Sequence, residues 1–157
     1  MCRTTRSPRK RLCCGGSAWR RFAAASGVWI HENAERDADV LNGTASRLDS
    51  VLQTARVTAS YLYERTIGAS FQYFSIWGDS DPVLFAPAAV TGSGNGSPNS
   101  NGEVLEVDYL PWLNTKLSVQ YIMYNRFNGG KGNYDGTGNG RSASDNDTLF
   151  VNFWFAF

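Results

Sequence analysis

Seven polar or charged side chains in this sequence alternate with apolar residues in segments of period two. Alternate residues of an extended strand point to the same side of a sheet, so these side chains are predicted to share one surface. Around a water-filled lumen they would set the electrostatic selectivity of a pore. The alternative is that the strands form a small closed barrel and that these side chains only contact water or fill its interior. The predicted lumen-lining residues are Arg56, Glu64, Glu106, Asp108, Lys116, Gln120 and Arg126.

A second group of oxygen-bearing side chains lies in a Gly-rich segment near the C-terminus. Carboxylate and amide oxygens on a flexible backbone suit Ca²⁺. Their spacing does not match a twelve-residue EF-hand loop, and Asp, Asn and Gly also favour turns for conformational reasons. We therefore expect no metal site, with calcium as the alternative. The group comprises Asp135, Asn139, Asp145, Asn146 and Asp147.

No residue combination typical of an enzyme is apparent. The single histidine, His31, lies beside Glu32 without a Ser or Cys nucleophile in a strand–turn context. The GSGNG run at 92–96 is not followed by a helical pattern, so it does not predict a phosphate-binding loop. The spacing of the three cysteines matches neither a zinc site nor a haem-attachment motif. They are Cys2, Cys13 and Cys14. The sequence predicts neither catalysis nor a cofactor.

Charge is unevenly distributed, although the formal net charge is only +1. Seven of the 15 basic residues lie within residues 1–21, and the first acid is Glu32. Such an arm would suit nucleic acid or anionic lipid. We expect instead that residues 1–26 are a disordered or non-native arm and that nucleic acid is not a partner. Residues 27–157 are predicted to form one β-structured segment.

From about residue 27 onward the dominant hydrophobic period is two, which predicts β-strands. The last segment is the clearest, because Leu149, Val151, Phe153, Phe155 and Phe157 all fall on one face. We expect about six strands. They are predicted near residues 27–33, 56–64, 66–77, 105–109, 116–127 and 149–157.

Short and long connections alternate along the chain. The links at 64–66 and 111–114 are short, whereas those at 34–52, 78–102 and 128–146 are long and polar. An up-and-down sheet then has all its long connections at one end, as in outer-membrane β-barrels. A soluble β-sandwich, which also alternates, is the alternative. Aromatics near the strand ends are predicted to form two interfacial girdles. They are Tyr61, Tyr63, Tyr109, Trp112 and Phe157 at one end, and Trp77 and Phe127 at the other.

Closure needs more strands than this chain shows. Single-chain barrels begin at about eight strands, and open sheet edges are not tolerated in hydrocarbon. We therefore expect an incomplete barrel, the C-terminal fragment of a larger one. The alternative is that several chains close one barrel.

The final run LFVNFWFAF resembles the C-terminal recognition strand of bacterial outer-membrane proteins, which commonly ends in Phe. The residues that match are Val151, Phe153, Phe155 and Phe157. The runs VDYLPWLNTKLSVQYIMYNRFNG and NYDGTGNGRSASDNDTLF also resemble the end of uncharacterised porin-like proteins. The resemblance implies the bacterial outer membrane as location, its lipid as environment and the barrel-assembly machinery as partner.

The sequence thus predicts an all-β, antiparallel up-and-down transmembrane β-barrel segment. Its expected function is a porin-like channel for passive transport of small solutes. The first alternative is a non-conducting structural barrel, including one that encloses an electron-transfer partner. An outer-membrane enzyme is the second alternative.

Overall fold

The computed structural model describes residues 21–156. The predictions for Cys2, Cys13, Cys14, Phe157 and most of the basic arm therefore lie outside the described residues. The elements are β1 (Arg21–Glu35), α1 (Asp37–Leu41), β2 (Asp49–Tyr63), β3 (Ile67–Gly78), β4 (Ser100–Trp112), β5 (Thr115–Arg126), a 3-10 helix (Ala143–Asn146) and β6 (Thr148–Phe155).

Each strand pairs antiparallel with its neighbour in sequence, so the six strands form one sheet in the order β1 to β6. This confirms the all-β, up-and-down prediction at the level of the sheet. The sheet is not closed, and β1 and β6 are its two edges. A β-sandwich needs two packed sheets, whereas residues 21–156 contain one.

The connections alternate in length as predicted. Residues 64–66 and 113–114 form the short links, and 36–48, 79–99 and 127–147 form the long connections. The second short link is only two residues long, because β4 continues through Pro111 to Trp112. All long connections lie at one end of the sheet, the long-connection end, and both short links lie at the other, the short-turn end.

The first strand is longer than the sequence pattern predicts. It begins at Arg21 and not at Gly27, and its register with β2 runs from Arg21↔Tyr63 to Glu35↔Asp49. Residues 21–26 therefore belong to a strand and not to a disordered arm. The segment Ala23–Ala25 has no polar alternation, so only its pairing with β2 reveals it as strand.

Strand alternation gives the sheet two chemically different faces. The apolar face carries mostly aliphatic and aromatic side chains. Its central residues are Val57, Ala59 and Tyr61 on β2, Ala69, Phe71 and Tyr73 on β3, Leu105, Val107 and Tyr109 on β4, Leu117, Val119 and Tyr121 on β5, and Leu149, Val151 and Phe153 on β6. The polar face carries Thr58, Ser60, Ser70, Gln72, Glu106, Asp108, Lys116, Ser118, Gln120 and Asn152.

Valines at the centre of the apolar face are more exposed than the serine opposite Asp108 on the polar face. Val107, Val119 and Val151 on the apolar face are 56%, 42% and 65% exposed, whereas Ser118 on the polar face is 5% exposed. This difference indicates that the sheet curves around its polar face, where side chains converge. The buried apolar residues of the described chain are few, and most belong to the long connections. They are Ala45, Val104, Tyr134 and Ala143. Within residues 21–156, no helix has the length and apolar character needed to cross a bilayer.

The two longest connections pack on each other and form an ordered loop layer. Gly94 N donates to the Tyr134 carbonyl at 2.5 Å, and Ser93 Oγ donates to the Asn128 carbonyl at 2.7 Å. Ser93 and Tyr134 are almost completely buried. Because buried polar groups need hydrogen-bond partners, these contacts define how the two connections fit together.

Asp81 joins the first long connection to the second. Its carboxylate accepts hydrogen bonds from Ser46 N and Oγ (2.8 and 2.7 Å) and from Arg47 N (3.2 Å). It also accepts from Val83 N and Leu84 N at 2.9 and 3.0 Å. Burial of the carboxyl opposes its ionisation, but the hydrogen bonds outweigh that effect and hold the pKa of Asp81 well below its ordinary value.

Candidate functional site

Four of the predicted lumen-lining side chains lie together on the polar face of β4 and β5. Glu106 and Asp108 are two residues apart on β4, so both point to that face. The β4–β5 register sets Gln120 opposite Glu106 and Ser118 opposite Asp108. Lys116 is two residues from Ser118 on the same face. We call Glu106, Asp108, Lys116 and Gln120 the polar cluster.

Lys116 connects the two carboxylates of the polar cluster. Its Nζ lies 3.1 Å from Glu106 Oε1 and 2.9 Å from Asp108 Oδ1. The contact with Asp108 is an ion pair without hydrogen-bond geometry, so Oδ1 has no hydrogen-bond donor among the described residues. Gln120 Nε2 donates to Glu106 Oε2 at 3.0 Å. One ammonium thus faces two carboxylates, and the cluster carries a formal charge of about −1.

Two small residues flank Asp108 and were not predicted from the sequence. The register places Gly68 of β3 on one side of Asp108 and Ser118 of β5 on the other. A Cβ at Gly68 would lie 3.2 Å from Asp108 Cβ and 3.3 Å from its Oδ2. Glycine inside a strand often marks such a close approach, so Gly68 was the available sequence signal.

The polar surface continues from the cluster onto β2 and β3. Ser60, Ser70, Glu106 and Gln120 occupy one row across four strands, because each is the register partner of the next. In the neighbouring row Thr58 Oγ1 donates to Gln72 Oε1 at 3.2 Å. The period-two pattern placed these neutral residues on the polar face, but the predicted lumen-lining set included only Gln120 among neutral side chains.

The remaining predicted lumen-lining residues lie away from the polar cluster. Arg56 shares the polar face but is opposite Phe74, nearer the long-connection end. Arg126 is opposite Asn101, beyond a register shift that interrupts the alternation of faces. Glu64 lies in the β2–β3 link with φ +49° and not in a strand. A turn follows its own backbone geometry, so strand alternation does not fix the side of Glu64.

The acidic residues considered for calcium each accept structural hydrogen bonds. Asp145 Oδ2 accepts from Ser142 N at 2.7 Å, and Asp147 Oδ1 accepts from Tyr124 N at 2.8 Å. Asp135 accepts from Thr137 Oγ1 at 2.9 Å. Burial favours the neutral form of Asp135, but its hydrogen bonds hold the pKa of this carboxyl below the ordinary value. No group of three or more potential metal-ligating residues occurs within residues 21–156.

A row of aromatic rings links the polar face to the loop layer. Tyr124 stacks edge-on with Phe127, and Phe127 with Tyr134, both at 5.0 Å between ring centroids. Phe74 stacks on Tyr124 at 5.6 Å. Phe127 was predicted for the interfacial girdle, but its ring packs between the sheet and the loop layer. The reason is that Tyr134 supplies an aromatic partner from a distant loop.

Three of the four predicted assembly-signal residues lie within the described chain and occupy one side of β6. Val151 and Phe153 pair with Val119 and Leu117, and Phe155 pairs with Thr115 near the short-turn end. All three side chains are more than half exposed on the apolar face. His31 lies on β1 opposite Gln53.

The chain matches no protein-family model, and neither curated proteins nor solved structures yield a match. The functional argument therefore depends on the sheet and on the polar cluster.

Proposed function

We propose that this chain forms part of the wall of a transmembrane β-barrel in the bacterial outer membrane, with the barrel acting as a porin-like channel for small solutes. The observation that carries the proposal is the opposite character of the two faces of a single-layer sheet. An exposed apolar face and a crowded polar face suit a wall between lipid and water.

The apolar face supports contact with lipid. Fifteen residues on five strands define its centre, and the most exposed of them include Val57, Val151 and Phe153. Burying one large apolar side chain contributes about 1.5–3 kcal/mol, so lipid would stabilise this face by tens of kcal/mol. Water-soluble monomers rarely expose so large a patch.

Strand lengths and aromatic positions agree with a bilayer. A tilted transmembrane strand needs about 9–11 residues, and β3 and β5 each have 12. Tyr63, Tyr109 and Trp112 lie near the short-turn end, and Trp77 lies near the long-connection end. Aromatic side chains favour the membrane–water interface.

The polar face supports a hydrated lumen. Glu106, Asp108 and Lys116 retain 24%, 22% and 37% side-chain exposure. Charged groups without water or partners would be costly in a membrane, whereas these three side chains are partly exposed and form ion pairs with one another. On β6, the alternation of Val151, Phe153 and Phe155 supports recognition by the barrel-assembly machinery, as the sequence resemblance implies.

Planar-bilayer electrophysiology with the purified full chain tests the proposal, because several copies can close one barrel where the six strands of one copy cannot. We expect discrete, salt-dependent conductance steps, together with quenching of tryptophan fluorescence by brominated lipid. Quenching without conductance would favour the non-conducting structural barrel. A chain that remains in the aqueous phase, with neither signal, would contradict the membrane assignment.

A further inference from the structure

We infer that the channel prefers small cations to anions and that Glu106, Asp108 and Lys116 determine this preference. The inference rests on the proposed function, because it concerns which solutes the polar face admits. It follows from the charges on that face, from the geometry of the ion pairs and from the composition of the long connections.

The polar face has more acidic than basic side chains. By strand register, its charged residues are Glu32, Arg56, Glu106, Asp108 and Lys116. Three acids therefore oppose two bases, which leaves a formal charge of −1 on the described part of the face. A lumen bordered by low-dielectric walls concentrates the field of such a charge.

Within the polar cluster, the positive charge of Lys116 is held between two carboxylates. Its Nζ lies within 3.1 Å of Glu106 and 2.9 Å of Asp108. An anion approaching Lys116 would meet both carboxylates, whereas a cation approaching Asp108 meets only one ammonium. The geometry of the polar cluster therefore favours cations over anions, although the cluster contains a lysine.

On the side that faces β3, Asp108 lies against Gly68, and its own side chain occupies the space that a Cβ at Gly68 would need. A methyl group there would lie 3.3 Å from Asp108 Oδ2. On the other side Ser118 is the register partner of Asp108. These small neighbours let the Asp108 side chain lie close against the sheet, and 22% of that side chain stays exposed, where a cation can approach it.

The long connections reinforce the same sign of charge. Residues 36–48, 79–99 and 127–147 contain seven acidic and four basic side chains. They lie together at one end of the sheet and would form the mouth of the channel. An acidic mouth raises the local concentration of cations before they reach the polar cluster.

Reversal potentials in a KCl gradient test the inference on the full chain in planar bilayers. We expect a K⁺/Cl⁻ permeability ratio above one for the natural protein. Lys116→Gln should raise the ratio roughly two- to fivefold, the effect of one unit charge acting across several ångström. The double variant Glu106→Gln, Asp108→Asn should lower it by a comparable factor or invert it.

Glu103→Gln is the matched control, since Glu103 lies on the same strand but on the opposite face, where Asn125 donates to it at 3.3 Å. It should leave the ratio unchanged, and circular dichroism should show unaltered β-structure in every variant. Channels that prefer chloride, or that respond equally to the Glu103 change, would overturn the inference while leaving the proposed function intact. A silent bilayer would overturn both.

Discussion

The hydroxyl of Tyr134 donates a 2.8 Å hydrogen bond to the carbonyl of Val90, which joins the last long connection to the one before it. The same hydroxyl accepts from Arg141 Nε at 2.9 Å and from Asn146 Nδ2 at 2.8 Å. Val90 has φ +72°, a conformation that β-branched residues rarely adopt. Two connections are thus locked together at a strained residue, so the loop layer is expected to behave as one unit.

Replacing Tyr134 with Phe should loosen the loop layer without altering the sheet. The change leaves buried partners unsatisfied, and we expect a loss of about 1–3 kcal/mol. Hydrogen exchange should become faster in residues 86–94 and 128–141, and remain slow in β3 to β5. Tyr73→Phe, on the exposed apolar face, is the control and should change neither region. Uniform faster exchange over the whole sheet would show that Tyr134 stabilises more than the loops.

Val90→Gly should stabilise the loop layer. A non-glycine residue at such a φ costs on the order of 1–3 kcal/mol, part of which is offset by the greater chain entropy of glycine. Val83 provides the comparison, because it has nearly the same exposure (43% against 44%) but no positive φ. Val83→Gly should therefore destabilise the loops. Limited proteolysis can rank the three proteins, and greater sensitivity of Val90→Gly would refute the strain argument.

Docking of the first two long connections should weaken at low pH because of Asp81. The folded-state pKa of Asp81 lies below the unfolded value, which is about 3.9 for an aspartate. The stabilisation is therefore complete above pH of about 4–5 and is lost as the pH falls through the folded-state pKa. Proteolysis by an acid-active protease should reveal the transition.

Asp81→Asn should be less stable at neutral pH and should lose most of this acid dependence. Asp37→Asn is the control, since Asp37 is exposed in the first turn of α1. It should keep the natural pH profile. A profile in Asp81→Asn that matches the natural protein would assign the acid transition to other carboxylates.

A positive charge should destabilise the membrane-inserted protein more on the apolar face than on the polar face. Val119→Lys should destabilise the membrane-inserted state by about 2–4 kcal/mol, as for lysine at the midplane of a barrel wall. Gln120→Lys, one residue further on the polar face beside Glu106, should cost much less. Denaturant titrations in phosphatidylcholine vesicles measure both. Equal costs for the two variants would argue against lipid contact on the Val119 side.

The sequence by itself determined the strands and the composition of their faces. The period-two pattern in residues 116–123 and 149–155 predicts strands because alternation is a local property of extended backbone. For the same reason Glu106, Asp108, Lys116 and Gln120 were correctly placed on one side. The sequence also predicted the alternation of short and long connections, because turn-forming residues act through local backbone preferences.

Only the tertiary structure decided which of these residues meet. Lys116 reaches both carboxylates because hydrogen-bond register sets Ser118 opposite Asp108, and register is a relation between strands that neither strand contains alone. A register shift between β4 and β5 takes Arg126 out of the alternation of faces. Pairing with β2 shows that β1 begins at Arg21. The Tyr134–Val90 contact spans 44 residues, and such long-range packing depends on the whole sheet bringing the two loops to the same end.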